Sequence, residues 1–437
     1  MTYKKDDDPI VQQLCAAFEQ RNPDVVRRLL AEQPVVRQHI NDPVFGFDSP
    51  AIVALAGDRA MVEVLLEAGA DPNRRSNWWA GGFHPLHSAS PESAELLLAA
   101  GAVPDACAAA HLDRPDLLAR LIAEDPSRVH ERGGDGQTPL HFARSRRVAE
   151  MLIAAGADLD ARDVDHRATP AEWMLERRHG AGRYDLAQFL VDRGASADIF
   201  LAAALGLTSR AVALVEADRG LLDLRTGHGE YGEKPPSSYH IYFWSIGPSR
   251  TPLDVASQFD QQDTLAAMLA FASPLQRLLM ACRLGAADQA RSLVREHPGL
   301  VSALSREEHR ALADAAWEGN AGAVGLMLEL GFDPAVTGHD AGTALHLAAW
   351  EGSAEVVGAL LEHPAGRALI AARDAHYGGT PLDWCCHGSL HGNTRHDHAG
   401  VARLLLDAGA SPDIGTTTAS AEVEAVLRAA RGSRPAE

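Results

Sequence analysis

The residues Gly342–Leu361, GTALHLAAWEGSAEVVGALL, decide the fold. They read as two short helices joined by a tight turn. Thr343 sits where a hydroxyl caps a helix start, and Leu345, Leu347, Ala348 and Ala349 follow as an apolar face at helical spacing. Gly352 suits the left-handed backbone that ends such a helix. Val356, Val357, Leu360 and Leu361 then supply the buried stripe of a second helix. Neither helix can bury its face alone. The same pattern recurs along the chain, so the core must come from stacking one unit on the next.

The recurring residues resemble the ankyrin repeat family, whose signature is a Thr-Pro-Leu-His helix start and a Gly-Ala turn after the second helix. Starts of this kind stand at His84-Pro85-Leu86-His87, Thr138-Pro139-Leu140-His141, Thr169-Pro170-Ala171-Glu172, Thr251-Pro252-Leu253-Asp254, Thr343-Ala344-Leu345-His346 and Thr380-Pro381-Leu382-Asp383. Gly-Ala turns stand at Gly69-Ala70, Gly101-Ala102, Gly156-Ala157, Gly194-Ala195 and Gly409-Ala410. Their spacing is close to the ~33-residue ankyrin period. Proline in the first helical turn costs no hydrogen bond, because that amide has no partner there. The resemblance implies an all-α ankyrin-repeat solenoid of about twelve stacked helix-turn-helix units with projecting hairpins.

Composition bounds the function. The chain has 437 residues, 46% of them hydrophobic, and a formal charge of −19. That charge argues against nucleic acid or an anionic membrane as partner and suits a basic peptide, a cation or a neutral ligand. Lysine occurs only at Lys4, Lys5 and Lys234, so arginine carries nearly all the positive charge. Cys15, Cys107, Cys282, Cys385 and Cys386 lack the spacing of a disulfide framework and read as small core residues. The N-terminus MTYKKDDDPI has no apolar stretch of a secretion signal, and no run is long enough to span a bilayer, so a cytoplasmic location is expected.

In chain order, residues 1–9 read as a charged tail and 10–223 as N-terminal repeats. The first of these lacks the Thr-Pro start, as a capping repeat does. Residues 224–250, LRTGHGEYGEKPPSSYHIYFWSIGPSR after Asp223, form the largest insertion, an aromatic finger. A long loop in a repeat array is more often functional than idle. Tyr239–Trp244 has strand composition, which predicts a hairpin there. C-terminal repeats follow over 251–418, with a capping helix and tail over 419–437.

The family resemblance implies that targets are held by hairpin tips and by the residue after the Ala-Ala pair of each first helix. On this chain the helix row is His111, Glu176, Ala204, Gln258, Arg283, Trp317, Trp350 and His387. The hairpin row adds His339, Asp340, His376 and Tyr377. Trp317 and Trp350 hold matching positions in DAAWEGN and LAAWEGS. An exposed tryptophan row without a partner is a liability, which points to ligand contact. His240, Tyr242 and Trp244 of the finger complete the expected binding residues.

The segment HGSLHGNTRHDH places His387 and His391 four apart, a spacing that suits zinc if the helix continues through Gly388. Gly388 and Gly392 argue against that continuation, and a polar loop is the simpler reading, so no metal is assigned. No phosphate-binding glycine loop, nucleophile elbow or His-Glu-x-x-His is present, so no catalytic residue and no cofactor is assigned. The expected function is recognition of a protein or peptide on the concave face. The alternative is an enzyme or small-molecule binder whose His/Trp/Tyr-lined pocket is closed by the finger.

Overall fold

The computed structural model describes residues 9–176, 182–393, 395–414 and 417–432. The charged tail up to residue 8 and the last five residues of the C-terminal tail lie outside them. The chain forms two compact units, 1–271 and 272–437, and the finger belongs to the first. Among the described residues, regular structure is helical, and extended pairing is limited to the bridges Phe45–Ser49 and Lys234–Ser237.

In the second unit the helix Ala344–Glu351 begins at Thr343. The Thr343 hydroxyl and backbone N–H both meet His346 Nδ1, at 2.8 and 3.3 Å, and close a capping box. Gly352, at φ 70°, ends the helix. Ala344 to Ala349 are all fully buried, and Val356, Val357 and Leu360 of the paired helix Ala354–Glu362 close over them. The helix packs between its counterparts Arg306–Trp317 and Pro381–His391. The helix Ala421–Gly432 covers the far end with Val423 and Leu427.

Pro381–His391 is one unbroken helix, against the expectation of a break at Gly388. Glycine weakens a helix locally, but here it is the residue that lets two helices touch. A Cβ on Gly388 would lie 2.3 Å from the Trp350 carbonyl oxygen. Tertiary contact outweighs propensity.

In the first unit several first helices are single turns: Pro85–His87, Pro139–Phe142 and Pro170–Trp173. Serine stops two of them early. Ser90 and Ser145 cap the second helices Pro91–Ala99 and Arg146–Ala154. Two other connections carry no tip at all: Asp105 and Asp198 follow their Gly-Ala turns by only a few residues and cap Ala106–His111 and Ile199–Leu205 directly. Tips on either side of such a repeat then reach each other. Across the tipless repeat at Asp105, Gly81 comes so close to Gly133 that a Cβ would lie 2.4 Å from its carbonyl oxygen.

The finger bridges the other gap. It does not form the expected hairpin: Ile241–Ser245 is a helical turn capped by His240. Its neighbouring residues Ile241 and Tyr242 are both buried, which helical but not strand geometry permits. His166 Nδ1 meets the Tyr239 carbonyl at 2.8 Å, Arg167 donates to the Ser238 and Gly232 carbonyls, and Ser238 N–H donates to Asp165. Tyr231 and Tyr242 both donate to the buried carboxyl of Asp198 at 2.9 Å. The β-branched and aromatic composition of the finger reflects this packing.

Candidate functional site

The helix-start residues are structural staples. His141 and His346 accept at Nδ1 from their threonine's N–H and donate from Nε2 to the Ala168 and Gly379 carbonyls of the following hairpin, at 3.1 Å each. Burial holds His141 down at about 3, so it stays neutral. Where the histidine is replaced, Asp254 and Asp383 close the same box.

A second staple joins hairpin to helix. Asp374 accepts from the N–H groups of His376, Tyr377 and Gly379 and from Trp384 Nε1, at 2.6–2.8 Å. Burial would raise its carboxyl, but these donors outweigh it and hold it below the ordinary range. Asp163 accepts from His166, Arg167, Ala168 and Trp173 in the first unit, but there burial outweighs the donors and raises the carboxyl. The signal for both is legible as Thr-Pro-x-acid-Trp, in TPAEW and TPLDW.

Trp384 is thereby fixed as the floor of an aromatic surface, and the sequence reading did not single it out. With Ala313 and Leu347 it forms a small buried set against which Trp317 and Trp350 both pack. Trp350 lies 6.2 Å from Trp384 and 5.3 Å from His387, ring to ring. Trp317 stacks on His339 at 5.3 Å and 16°. Tyr377 leans on Trp384 and on His376 and is 73% exposed. Five expected site residues, Trp317, His339, Trp350, Tyr377 and His387, are thus brought together, with Asp340 ion-paired to His339 at 3.0 Å on the rim. Arg283 of the same unit is tied to Glu318 at 2.6 Å.

The finger residues stand differently. His240 is 3% exposed and Tyr242 fully buried, so neither presents a surface; both serve the docking of the finger. His240 Nε2 lies 3.5 Å from the Glu172 carboxylate, an ion-pair distance without a closed hydrogen bond. Trp244 is 38% exposed.

The four histidines after Cys386 split into two pairs. His387 and His391 share a helix face with rings 4.4 Å apart. His396 and His398 instead donate to the carbonyls of Glu351 and Trp350, satisfying the end of the helix Ala344–Glu351. Among the described residues the group with metal-ligand spacing is a different one, His87, Asp105 and Cys107. Its chemistry opposes a metal. His87 Nδ1 accepts from His84 N–H, so Nε2 carries the proton and gives it to Asp105. Asp105 also holds Arg75 and caps a helix, and burial keeps the Cys107 thiol protonated.

A third buried group consists of Asp135, Asp163 and Asp165. Asp135, at φ 55° on its hairpin tip, is 5% exposed, and its Oδ1 has no hydrogen-bond partner. Burial, with the neighbouring Asp163 and Asp165 carboxylates, raises its carboxyl to about 8, while the Trp78 indole beside it pulls the other way. The folded chain therefore retains a proton that the unfolded chain releases near 3.8, and this stability is lost as pH rises through about 8. Asp135→Asn, neutral at every pH, is expected to stabilise the first unit by about 2–4 kcal/mol at alkaline pH and hardly at all at pH 4. Thermal melting of both proteins across that range checks it; parallel curves would refute the assignment.

Stacked pairs of antiparallel helices, closed by an outer helix and joined by tips, define a helical-repeat protein. The chain carries ankyrin repeats: the family model for ankyrin repeats in three copies matches residues 312–416, and that for a single ankyrin repeat matches 135–164. No curated protein matches it. Ankyrin repeats are in general protein–protein interaction modules. Among the described residues no helix is long and apolar enough to cross a membrane.

Proposed function

We propose that this protein recognises a protein or peptide partner through the aromatic surface of its second unit, with Trp317, Trp350 and Tyr377 as anchors. The observation that carries this reading is Tyr377, exposed over a buried tryptophan that is itself pinned by Asp374. Tryptophan and tyrosine held in this way bury much area at small entropic cost. His339 and His387 extend the surface along the helix and hairpin rows.

The test is a pair of measurements on the same variants. Tyr377→Ala is expected to weaken binding of a partner recovered by pull-down by about 2 kcal/mol, with a melting temperature close to the parent's. Trp350→Ala is expected to weaken binding similarly and to cost about 1 kcal/mol of stability, because the ring is half-buried. Undiminished binding by both variants would remove the proposal.

A further inference from the structure

The helix Pro381–His391 outruns its counterpart Ala344–Glu351, 11 residues against 8. The cause is legible in the sequence. Ser389 stands at the same distance from Thr380 as Gly352 does from Thr343. Gly352 takes the left-handed backbone that ends the counterpart, at φ 70°. Ser389 stays helical, and its hydroxyl donates back to the Cys386 carbonyl at 2.6 Å. The added turn passes the Trp350 carbonyl closely, which Gly388 permits. Its last residue is His391.

One turn earlier lies His387, in the row position that Trp317 and Trp350 hold in the two preceding repeats. Side chains four residues apart on an unbroken helix share a face. The two rings stand 4.4 Å apart, centroid to centroid, at 42°. Both residues are exposed. Neither imidazole has a hydrogen bond or an ion pair among the described residues. Nearby histidines differ in this respect. His346 is engaged by its capping box and the Gly379 carbonyl, His396 and His398 by the end of the helix Ala344–Glu351, and His339 by Asp340.

Two imidazolium ions this close would repel, whereas two neutral imidazoles can share one cation. Zinc–nitrogen bonds are about 2.0–2.1 Å, so an ion beside the two rings is within reach of one nitrogen of each after a small turn about χ2. The i, i+4 spacing of histidines on a helix face is the one that helical zinc sites use. Imidazole suits zinc and copper, while magnesium and calcium take oxygen ligands. Among the described residues no third imidazole, thiolate or carboxylate joins the pair. Two positions of a tetrahedral ion therefore stay open, which makes the site an exchangeable one and not a closed structural one.

We infer that His387 and His391 chelate a divalent transition-metal ion, zinc or copper, on the exposed face of the helix Pro381–His391. The helix holds the pair together before the ion arrives, so little ordering is required on binding. No partner polypeptide is needed. Metal binding and the recognition role of Trp350 therefore stand or fall separately.

The probe is zinc chloride, titrated by calorimetry into the full chain without a histidine tag, with copper(II) and magnesium in parallel. One zinc ion per chain is expected, with copper tighter and magnesium undetected. His391→Gln changes an exposed residue at the helix end and should fold as the parent does. It is expected to lose at least about tenfold in zinc affinity, because a second nitrogen is no longer held beside the first. His297→Gln, at an exposed histidine elsewhere in the second unit, should lose nothing. Copper bound at the pair lies beside Trp350, whose ring is 5.3 Å from His387. It should quench a minority of the emission of the chain's seven tryptophans. Trp350→Phe should remove that quenching and keep the metal affinity. Absence of zinc binding, unchanged affinity in His391→Gln, an equal loss in His297→Gln, or full quenching in Trp350→Phe would each overturn the inference.

Discussion

Gly388→Ala is expected to destabilise the second unit by about 3 kcal/mol, although alanine is the better helix former by about 1 kcal/mol. The added methyl would stand 2.3 Å from the Trp350 carbonyl oxygen and 3.0 Å from its Cα. Both are backbone atoms of a helix packed on its other side, so neither can rotate away. The only relief is to separate Pro381–His391 from Ala344–Glu351. That separation would also stretch the bond from His398 Nε2 to the Trp350 carbonyl, now 2.9 Å. Urea denaturation followed by helix circular dichroism decides the matter, because propensity alone predicts the opposite sign. A variant as stable as the parent, or more so, would show that the two helices do not approach as closely as described.

Leu345→Ala is expected to cost about 2–5 kcal/mol. The side chain is fully buried in the second unit's continuous core, with Ala344, Ala348, Ala349 and Val357 in the same set. In a stacked array stability sums over neighbours, so damage stays local. Hydrogen exchange should show residues 306–407 loosening before the repeats of the first unit. Uniform loosening along the chain would contradict the nearest-neighbour account.

The repeat pattern was legible because it is made of local signals. Thr343, Gly352 and the apolar spacing between them specify a helix pair with no knowledge of its neighbours, and the structure has that pair. What escaped the sequence was set by residues far apart in it. Gly388 reads as a helix breaker until the Trp350 carbonyl is seen against it. Tyr239–Trp244 reads as a strand until Asp198 is found to hold Tyr242. Of the residues expected to bind a ligand, Trp317 and Trp350 did pack on one set, since equivalent positions in successive repeats must lie side by side. The floor beneath them, Trp384, was missed because its partner Asp374 lies in the preceding hairpin.

The finger also sets a clock. Its bonds to Val164, Asp165 and His166 close 73 residues of chain, against 33 for the staple from His346 to Gly379. The entropic difference is small, about 0.7 kcal/mol. The delay during synthesis is not. At roughly 5–20 residues per second, Tyr239 leaves the ribosome roughly 4–15 s after His166, and Tyr242 follows Asp198 by roughly 2–9 s. For that interval the growing array must stand with the Asp198 carboxyl lacking its tyrosines and the Asp165 tip uncovered. An otherwise local, fast-folding architecture therefore carries one late-closing contact, and the first unit reaches its final form only when the insertion has been made and laid back across the repeat before it.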